Sequence, residues 1–314
     1  MAEVKIFSGS TSANLAKKVA YYYGREIGKV SIQRFADSEI SVSYDESVRG
    51  CDVYLVQSTF PNADNLMELL LLIDAARRAS AHYVVAVIPY YGYARQDRKD
   101  KPRVAIGAKL VANMLVAAGA DRVMTLDLHA GQIQGFFDIP VDHLEGTSLF
   151  VPYLQTKNLD NLIFASPDVG GVSRVRKFAS HFDADIVICD KVRKKANEID
   201  SMTLIGDVKN ANVVLIDDMI DTGGTICKAA QLIMEKGAKS VRAIATHAVL
   251  SHKANENITN SVFEEVIVSD SIPLKMENPK IKVISVAELF GKAIGRIRDN
   301  SSISSLFINY QNSI

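Results

Sequence analysis

Short apolar runs alternate along this chain with longer segments in which apolar residues recur every three or four positions. Runs such as residues 213–216 (Val-Val-Leu-Ile) are typical of parallel strands that are buried on both faces. The pattern predicts strands at residues 5–9, 30–35, 52–57, 83–89, 122–126, 162–165, 185–189, 202–208, 212–216, 241–249, 262–268 and 280–284. It predicts helices from about residue 12 and at residues 66–79, 106–118, 149–154, 226–236 and 287–298. This alternation indicates an α/β fold with mainly parallel sheets.

The second half of the chain repeats the layout of the first, which bears on its domain organisation. A chain of 314 residues more often forms two domains of about 150 residues than a single core. We place the boundary near Gly146, where an extended segment, residues 138–144, ends. This predicts an N-terminal domain at residues 1–146 and a C-terminal domain at residues 147–314, with a tail that could pack back on the first domain.

Charge and composition exclude several classes of partner. The chain has 36 Lys and Arg residues against 36 Asp and Glu residues, so broad binding to nucleic acid or to an acidic membrane is not expected. No apolar run approaches the length of a membrane span, and the first residues lack a signal-peptide pattern. Three scattered cysteines without metal-ligand spacing favour a reducing, cytoplasmic compartment.

The most informative stretch follows the apolar run at residues 213–216 and contains an acidic pair, a third acid and a glycine-rich turn. Asp217 and Asp218 come where the predicted strand ends, and residues 221–225 (Asp-Thr-Gly-Gly-Thr) open onto a predicted helix. Glycines at a helix N-terminus allow the backbone N–H groups to approach a phosphate. Carboxylates beside a phosphate are useful when they accept hydrogen bonds from sugar hydroxyls or hold a cation. The stretch therefore favours a phosphorylated sugar as ligand over a simple capped turn.

A second glycine loop follows the strand predicted at residues 162–165. Asp168, Val169, Gly170 and Gly171 precede a helix that carries cationic residues, an arrangement suited to a magnesium-bound pyrophosphate. Further along, Lys191 and Arg193 belong to a basic run, which by itself is typical of a solvated surface.

Three segments of the first half are candidates for nucleotide binding, each with an ordinary alternative. Phe35 with Asp37 and Glu39 could stack on an adenine and accept from its amino group, although a plain hairpin turn fits the same residues. Arg95 and Gln96 lie in an aromatic and basic loop after a strand, suited to polyphosphate or simply solvated. His129 follows Asp127 at another strand end, where a ligand role and a structural role are equally expected.

Taken together, residues 95–97, 127–129, 168–171, 191–193 and 217–225 resemble, in content and order, the motifs of the ribose-phosphate diphosphokinase family. The resemblance covers essentially the whole chain. It implies two phosphoribosyltransferase type I-like domains related by pseudo-symmetry, with the active site between them. The implied reaction transfers the diphosphoryl group of ATP to the 1-hydroxyl of ribose 5-phosphate, which gives 5-phosphoribosyl 1-pyrophosphate and AMP for nucleotide biosynthesis.

The resemblance also implies roles for individual residues. Lys191 and Arg193 resemble the catalytic pair of a mobile loop, and His129 and Asp168 the ligands of Mg²⁺, which Asp127 could assist. The ATP residues implied are Phe35, Asp37, Ser38, Glu39, Arg95 and Gln96. The ribose 5-phosphate residues implied are Arg193, Asp217, Asp218, Asp221, Thr222, Gly223, Gly224 and Thr225, beside the pyrophosphate loop Asp168, Val169, Gly170 and Gly171.

Regulation and assembly are also implied by the family rather than by the residues alone. Its more common class forms homohexamers that inorganic phosphate activates and ADP inhibits. The residues that resemble parts of that allosteric site are Ser47, Arg49, Ser302, Ser304 and Phe307. Gly131 stands where some members have a serine, which removes a hydroxyl donor and leaves phosphate dependence open.

Two other functions share parts of this pattern. A phosphoribosyltransferase would share residues 217–225 but would not need a second domain with Arg95, Gln96 and His129. A non-catalytic family member acting as a regulatory subunit would share the fold, and Lys191 and Arg193 argue against it. A non-enzymatic binding protein fits the pattern least.

Overall fold

A computed structural model describes residues 2–192 and 201–307. The chain divides into two compact units. The first unit comprises residues 2–145, Ser271–Pro273 and Ser285–Leu306, and the second comprises the described residues of Gly146–Asp270, Leu274–Ile284 and Phe307. No helix within the described part of the chain is long and apolar enough to cross a membrane.

The first unit is built on a parallel five-stranded sheet and a separate two-stranded hairpin. The sheet strands are β1 (Val4–Ser8), β4 (Asp52–Val56), β5 (Tyr83–Ile88), β6 (Arg122–Leu126) and β7 (Val141–Leu144), adjacent in that order. The antiparallel hairpin pairs β2 (Val30–Arg34) with β3 (Ile40–Tyr44). The helices are α1 (Ala13–Tyr23), α2 (Asp64–Arg78), α3 (Gly107–Ala118) and α8 (Ala287–Arg298).

The core of the first unit explains why its strands read as unbroken apolar runs. Every residue from Val84 to Ile88 in β5 is fully buried, as expected for a central parallel strand covered on both faces. Helix α2 presents Leu69, Leu72 and Ile73 to this core, and its last turn carries two arginines that suit the helix dipole.

The second unit contains a seven-stranded sheet in which only the edge strand β10 runs antiparallel to its neighbour. Its strands, in sheet order, are β10 (Ser201–Ile205), β9 (Asp185–Val192), β8 (Leu162–Ser166), β11 (Asn212–Ile220), β12 (Ser240–Ala248), β13 (Glu265–Ser269) and β14 (Ile281–Ile284). Its helices are α4 (Thr147–Gln155), α5 (Val172–Ser180), α6 (Gly224–Glu235) and α7 (Ala254–Thr259).

The last long helix belongs to a different unit from the one its position in the sequence suggests. Residues 147–314 were predicted to form the C-terminal domain, yet Ser285–Leu306, which includes α8, is part of the first unit. Helix α8 packs on α1, and its Phe290 and Ile294 are fully buried. Gly291 makes this packing close, because a Cβ there would lie 2.8 Å from Cβ of Tyr22. The chain itself first crosses between the units at Glu145 and Gly146.

Candidate functional site

The acidic pair lies on the part of β11 that extends beyond its neighbour β8. Pairing with β8 ends at Leu215, whereas pairing with β12 continues as far as Ile220. The sequence predicted a strand that ends at residue 216, so this prediction was wrong at its carboxyl end. The carboxylates interrupt the apolar run without interrupting the ladder to β12. As a result Asp217 and Asp218 are held on rigid backbone at the carboxyl edge of the sheet, where α/β proteins bind their ligands.

An arginine from the neighbouring helix compensates part of this negative charge. The Arg174 guanidinium of α5 donates to Oδ1 of Asp218 at 3.3 Å and lies 3.7 Å from Oδ1 of Asp217. The Asp217 carboxylate also accepts from the backbone N–H of Asp218 at 2.8 Å. Burial and the neighbouring Asp218 carboxyl raise the pKa of Asp217 well above its usual range, and Arg174 opposes this shift only in part. The site therefore holds a carboxyl that gains from a hydrogen-bond donor such as a sugar hydroxyl.

The glycine-rich turn after β11 has the geometry of an anion cradle. Gly223 has a φ of +74°, which a residue with a side chain rarely adopts, and helix α6 begins at the next residue. The first N–H groups of α6 therefore face this turn. Asn257 donates to the carbonyl of Thr222 at 2.9 Å, and Ser251 Oγ donates to the Asp221 carboxylate.

The second predicted glycine loop forms a short 3₁₀ helix, Val169–Gly171, that leads directly into α5. The carboxylate of Asp168 accepts from the backbone N–H of Gly171 at 3.1 Å and so caps this turn. A Cβ at Gly171 would lie 2.8 Å from Ser166 Oγ, so a side chain there would displace that hydroxyl. Strands β8 and β11 are parallel neighbours, so both glycine loops leave the same edge of one sheet.

The basic pair lies at the limit of the described residues. Strand β9 continues to Val192, three residues beyond its prediction, and pairs Lys191 with Met202 of β10. Lys191 is therefore located at the end of an antiparallel hairpin strand. Arg193 lies outside the described residues.

In the first unit, the residues assigned to adenine form the turn of the β2–β3 hairpin. From the sequence alone, a hairpin turn and an adenine-binding segment were alternatives, and a hairpin turn that binds adenine would satisfy both. Phe35 is 59% exposed, and its backbone N–H donates to the carbonyl of Glu39 at 2.9 Å. Asp37 accepts from the N–H of Glu39 at 3.0 Å, and Ser38 has a φ of +79°. An exposed ring beside two acids in a stiff turn is able to stack on a base.

The other two segments of the first unit follow adjacent strands. Arg95 and Gln96 lie in the loop after β5, where both are exposed, and His129 is exposed in the turn after β6. Asp97 accepts from Gln132 at 3.3 Å, which links the two loops. Asp127, in the same turn, has a φ of +38°. The structure thus brings the basic loop and the histidine turn together at one sheet edge.

A metal ion would have few protein ligands here. The described residues contain no group of three or more His, Cys, Asp or Glu side chains arranged to hold a metal. His129 belongs to the first unit and Asp168 to the second. The Asp168 carboxylate is a type of ligand that suits Mg²⁺, which is usually bound by one or two carboxylates and keeps waters and substrate phosphate oxygens as its other ligands.

The residues assigned to regulation form local clusters. Arg49 donates to Ser80 Oγ at 3.2 Å, and its backbone N–H donates to Ser47 Oγ at 3.4 Å. In the last segment of the first unit, Ser285–Leu306, the N–H of Ser304 donates to Ser302 Oγ at 3.2 Å. Phe307, the remaining candidate, belongs to the second unit.

Ser251, Asn257 and the acid-binding role of Arg174 were not predicted. Ser251 and Asn257 lie about thirty residues beyond the loop they contact, Ser251 in a turn and Asn257 in the short helix α7, and neither belongs to a recognisable motif. Only the parallel register of β11 with β12 brings that segment beside the loop. The sequence shows Arg174 as a cation after a glycine loop, but it does not show that Arg174 contacts Asp217 and Asp218.

Comparisons with known proteins show which family the chain resembles. The chain matches the N-terminal domain of ribose phosphate pyrophosphokinase over residues 4–119 and the phosphoribosyl synthetase-associated domain over residues 176–308. It is 56% identical to a ribose-phosphate pyrophosphokinase of Porphyromonas gingivalis, over 96% of this chain and 97% of that protein. It is 57% identical to one of Campylobacter jejuni, over 97% and 99% respectively.

A solved structure extends the similarity to three dimensions. The phosphoribosylpyrophosphate synthetase of Mycobacterium smegmatis superposes with a TM-score of 0.91 at 39% identity, which covers 95% of this chain and all of that one. The predicted fold class, two α/β domains of the phosphoribosyltransferase type I kind with mainly parallel sheets, is thereby confirmed. The predicted family is confirmed as well: this chain belongs to the ribose-phosphate pyrophosphokinases, the enzymes also called ribose-phosphate diphosphokinases.

Proposed function

We propose that this chain transfers the β,γ-diphosphoryl group of ATP to the 1-hydroxyl of ribose 5-phosphate and releases AMP. Membership of the ribose-phosphate pyrophosphokinase family supports this reaction. The observation that carries it is the pair of glycine loops that follow β8 and β11 at the same sheet edge, where Arg174 also lies within 4 Å of both aspartates. An edge with two anion cradles and an acidic pair suits a sugar that carries a phosphate and accepts a diphosphoryl group.

Ribose 5-phosphate is assigned to the loop after β11. Thr222, Gly223, Gly224 and Thr225 would bind the 5-phosphate through the helix N-terminus and the threonine hydroxyls. Asp217 and Asp218 would accept hydrogen bonds from the ribose hydroxyls. The raised pKa of Asp217 supports this role, because a sugar hydroxyl stabilises a carboxylate that the folded protein otherwise disfavours.

The diphosphoryl group is assigned to the loop at 168–171, with Mg²⁺ as the cofactor. His129 and Asp168 would hold the ion, assisted by Asp127, and the bound ion would neutralise phosphate charge. The loop itself contributes N–H groups at the start of α5, a helix that also carries Arg174.

ATP is assigned to exposed segments of the first unit. The ring of Phe35 would stack on the adenine, Asp37, Ser38 and Glu39 would accept from or donate to the nucleoside, and Arg95 with Gln96 would contact the phosphates. The ring of Phe35 is 59% exposed, so it is accessible to an adenine.

Lys191 and Arg193 are assigned to the transfer step. Phosphoryl transfer depends on alignment and on neutralising charge at the transferred group, and it requires little covalent help from the protein. A lysine at the end of a hairpin strand, followed two residues later by an arginine, can supply that charge.

We also propose a homohexameric, cytoplasmic enzyme that inorganic phosphate activates and ADP inhibits at a site that includes Ser47, Arg49, Ser302, Ser304 and Phe307. The cluster of Arg49 with Ser47 and Ser80 supports an anion site, since a guanidinium and hydroxyls favour phosphate. Gly131 is exposed, and a Cβ added there would meet no atom within 4 Å, so a serine would fit at this position without strain.

The direct test is AMP formation from ATP and Mg²⁺, with and without ribose 5-phosphate and with and without inorganic phosphate. We expect AMP to form only when ribose 5-phosphate is present. A Lys191→Ala variant should lose at least about 100-fold in kcat, which is the scale of one lost charge-stabilising group. The phosphate arms of the assay test the regulatory proposal separately. Absence of AMP in every arm would instead favour a regulatory subunit, and an unchanged kcat in the variant would exclude Lys191 from the transfer step.

A further inference from the structure

The loop assigned to ribose 5-phosphate contains a carboxylate of its own, which is unfavourable beside a phosphate. Asp221 lies directly before the Thr222–Thr225 turn. Its Oδ1 accepts a hydrogen bond from Ser251 Oγ, and its backbone carbonyl accepts from the N–H of Ser251 at 3.0 Å. One residue thus fixes both the carboxylate and the backbone at the start of the loop.

The next residue of the loop is held by the helix that follows Ser251. Asn257, in α7, donates from Nδ2 to the backbone carbonyl of Thr222 at 2.9 Å. The carbonyl of Asn257 accepts from Cys227 Sγ of α6 at 3.6 Å, so α7 also contacts the helix that the loop begins. Gly223 lies against the same helix, because a Cβ at that position would meet the carbonyl oxygen of Ala254 at 3.5 Å.

Helix α7 has only six residues, and a buried side chain anchors it. Asn278, 7% exposed, donates to the carbonyl and the side-chain oxygen of Asn255 at 3.2 and 2.6 Å. It also donates to Thr259 Oγ1 at 2.9 Å, so both ends of the helix are held by one amide. The position of Asn257 is therefore fixed by packing and hydrogen bonds before any ligand arrives.

The turn that carries Ser251 has an unusual backbone. Leu250 and His252, on either side of Ser251, have φ values of +45° and +51°. A left-handed conformation at such residues costs free energy, and the surrounding structure must enforce it. Here the register of β11 with β12 and the bond from the N–H of Leu250 to the carbonyl of Ile220, 3.0 Å long, enforce it.

We infer that Ser251 and Asn257 are positioning residues that hold the Asp221–Thr225 loop in its phosphate-binding shape, with Ser251 restraining the Asp221 carboxylate that would otherwise repel the phosphate. This inference rests on the proposed binding of ribose 5-phosphate at that loop. A loop that is already ordered loses less conformational entropy on binding, so its support should appear in affinity for the sugar phosphate.

The experiment compares Ser251→Ala and Asn257→Ala with the unaltered enzyme. We expect Ser251→Ala to raise KM for ribose 5-phosphate about tenfold, the equivalent of one charge-assisted hydrogen bond, while kcat and KM for ATP stay within about twofold. Asn257→Ala should raise the same KM about threefold, because its bond joins neutral groups. Ser251→Thr keeps the hydroxyl and should restore most of the affinity.

The matched control is Ser180→Ala, which removes a serine hydroxyl bonded to a backbone carbonyl (Lys177, 2.9 Å) at the far end of α5. It should leave every constant unchanged. An unchanged KM for ribose 5-phosphate in both Ser251→Ala and Asn257→Ala would overturn the inference, as would an equal rise in KM for ATP. Calorimetric titration of ribose 5-phosphate separates this failure from failure of the proposed reaction, since binding is measured without turnover.

Discussion

Corresponding strands of the two units end in turns with the same topology, but the turn in the first unit is closed by a side chain and the turn in the second unit is open to solvent. After β1, the backbone N–H of Ser10 donates to the carboxylate of Glu68 at 2.6 Å, an acid brought from α2 and 4% exposed. After β8, the N–H of Gly171 donates to Asp168, an acid of the turn itself, and Gly170 and Val169 are exposed. The first turn is filled by a distant side chain, whereas the second remains open to solvent.

The next strands of the two sheets show the same contrast. After β4 come Gln57, Ser58 and Thr59, none more than 1% exposed. Their side chains bond internally, with Gln57 Nε2 donating to Glu68 at 2.8 Å and Ser58 Oγ to the carbonyl of Ser271 at 2.6 Å. On β11 the Asp217 side chain is 29% exposed, and the glycine turn follows.

The same strand topology therefore gives both units a sheet edge at which a ligand could bind, but the side chains at that edge determine whether an anion can reach it. In the first unit the polar groups at the ends of β1 and β4 are satisfied by Glu68 and Gln57, which leaves no room for an anion there. Gly9 illustrates the tightness, because a Cβ on it would lie 2.3 Å from the Gln57 side chain. In the second unit glycines and short acids leave the same edge accessible.

The largest change in the free energy of unfolding should come from Glu68→Ala, which removes the side chain that closes the turns of the first unit. The substitution removes the acceptor of the Ser10 N–H and the shorter of the two hydrogen bonds that the buried Gln57 amide donates, so we expect a loss of about 2 kcal/mol in the free energy of unfolding. Urea denaturation followed by circular dichroism measures it. Glu68→Gln keeps an acceptor and should lose less, and Glu26→Ala, at an exposed position, should lose almost nothing. Equal stability of Glu68→Ala and Glu26→Ala would contradict the closed edge.

A smaller change in the free energy of unfolding, in the stabilising direction, is expected from Asp217→Asn at the open edge of the second unit. The folded-state pKa of Asp217 lies above its unfolded value, so its penalty is full above the folded pKa and disappears as pH falls towards the unfolded value near 3.8. At neutral pH the variant should therefore gain about 1 kcal/mol in the free energy of unfolding, within the usual range for one substitution. Thermal unfolding across a pH series should show this gain shrink on acidification. A variant less stable than the parent at neutral pH would contradict the assignment.

That gain in stability should be accompanied by weaker binding of ribose 5-phosphate. A carboxylate that destabilises the folded state is retained where function needs it, and its replacement trades function for stability.

Sequence patterns predicted most of the fold because buried parallel strands and amphipathic helices have different periods. Strand β6 was predicted at its observed bounds, Arg122–Leu126, and α8 at Ala287–Arg298. The carboxyl end of β11 was missed because two acids end the apolar run while the ladder to β12 continues. The unit to which α8 belongs could not be predicted, since its packing on α1 joins segments more than 250 residues apart.

The candidate site was predictable where one short segment carries the chemistry, as in residues 217–225 and 168–171. It was not predictable where the contact joins distant segments: Ser251 with Asp221, Asn257 with Thr222, and Arg174 with the acidic pair. These partners are common polar residues without a motif, and only strand register and helix packing bring them to the site. The roles of residues 217–225 and 168–171, like those of Lys191, Arg193 and the ATP and metal residues, stay predictions.

The central claim is that the second unit's edge binds the sugar phosphate and the first unit's edge does not. Calorimetric titration of ribose 5-phosphate into two matched variants tests it, Thr225→Asp and Ser10→Asp, each of which adds one carboxylate in the first turn of a helix or 3₁₀ helix after a strand. An acid near a helix N-terminus is well tolerated, so both should fold. We predict that Thr225→Asp weakens binding at least about 100-fold through charge repulsion, whereas Ser10→Asp binds like the unaltered protein. Loss of binding in Ser10→Asp with retention in Thr225→Asp would contradict the account.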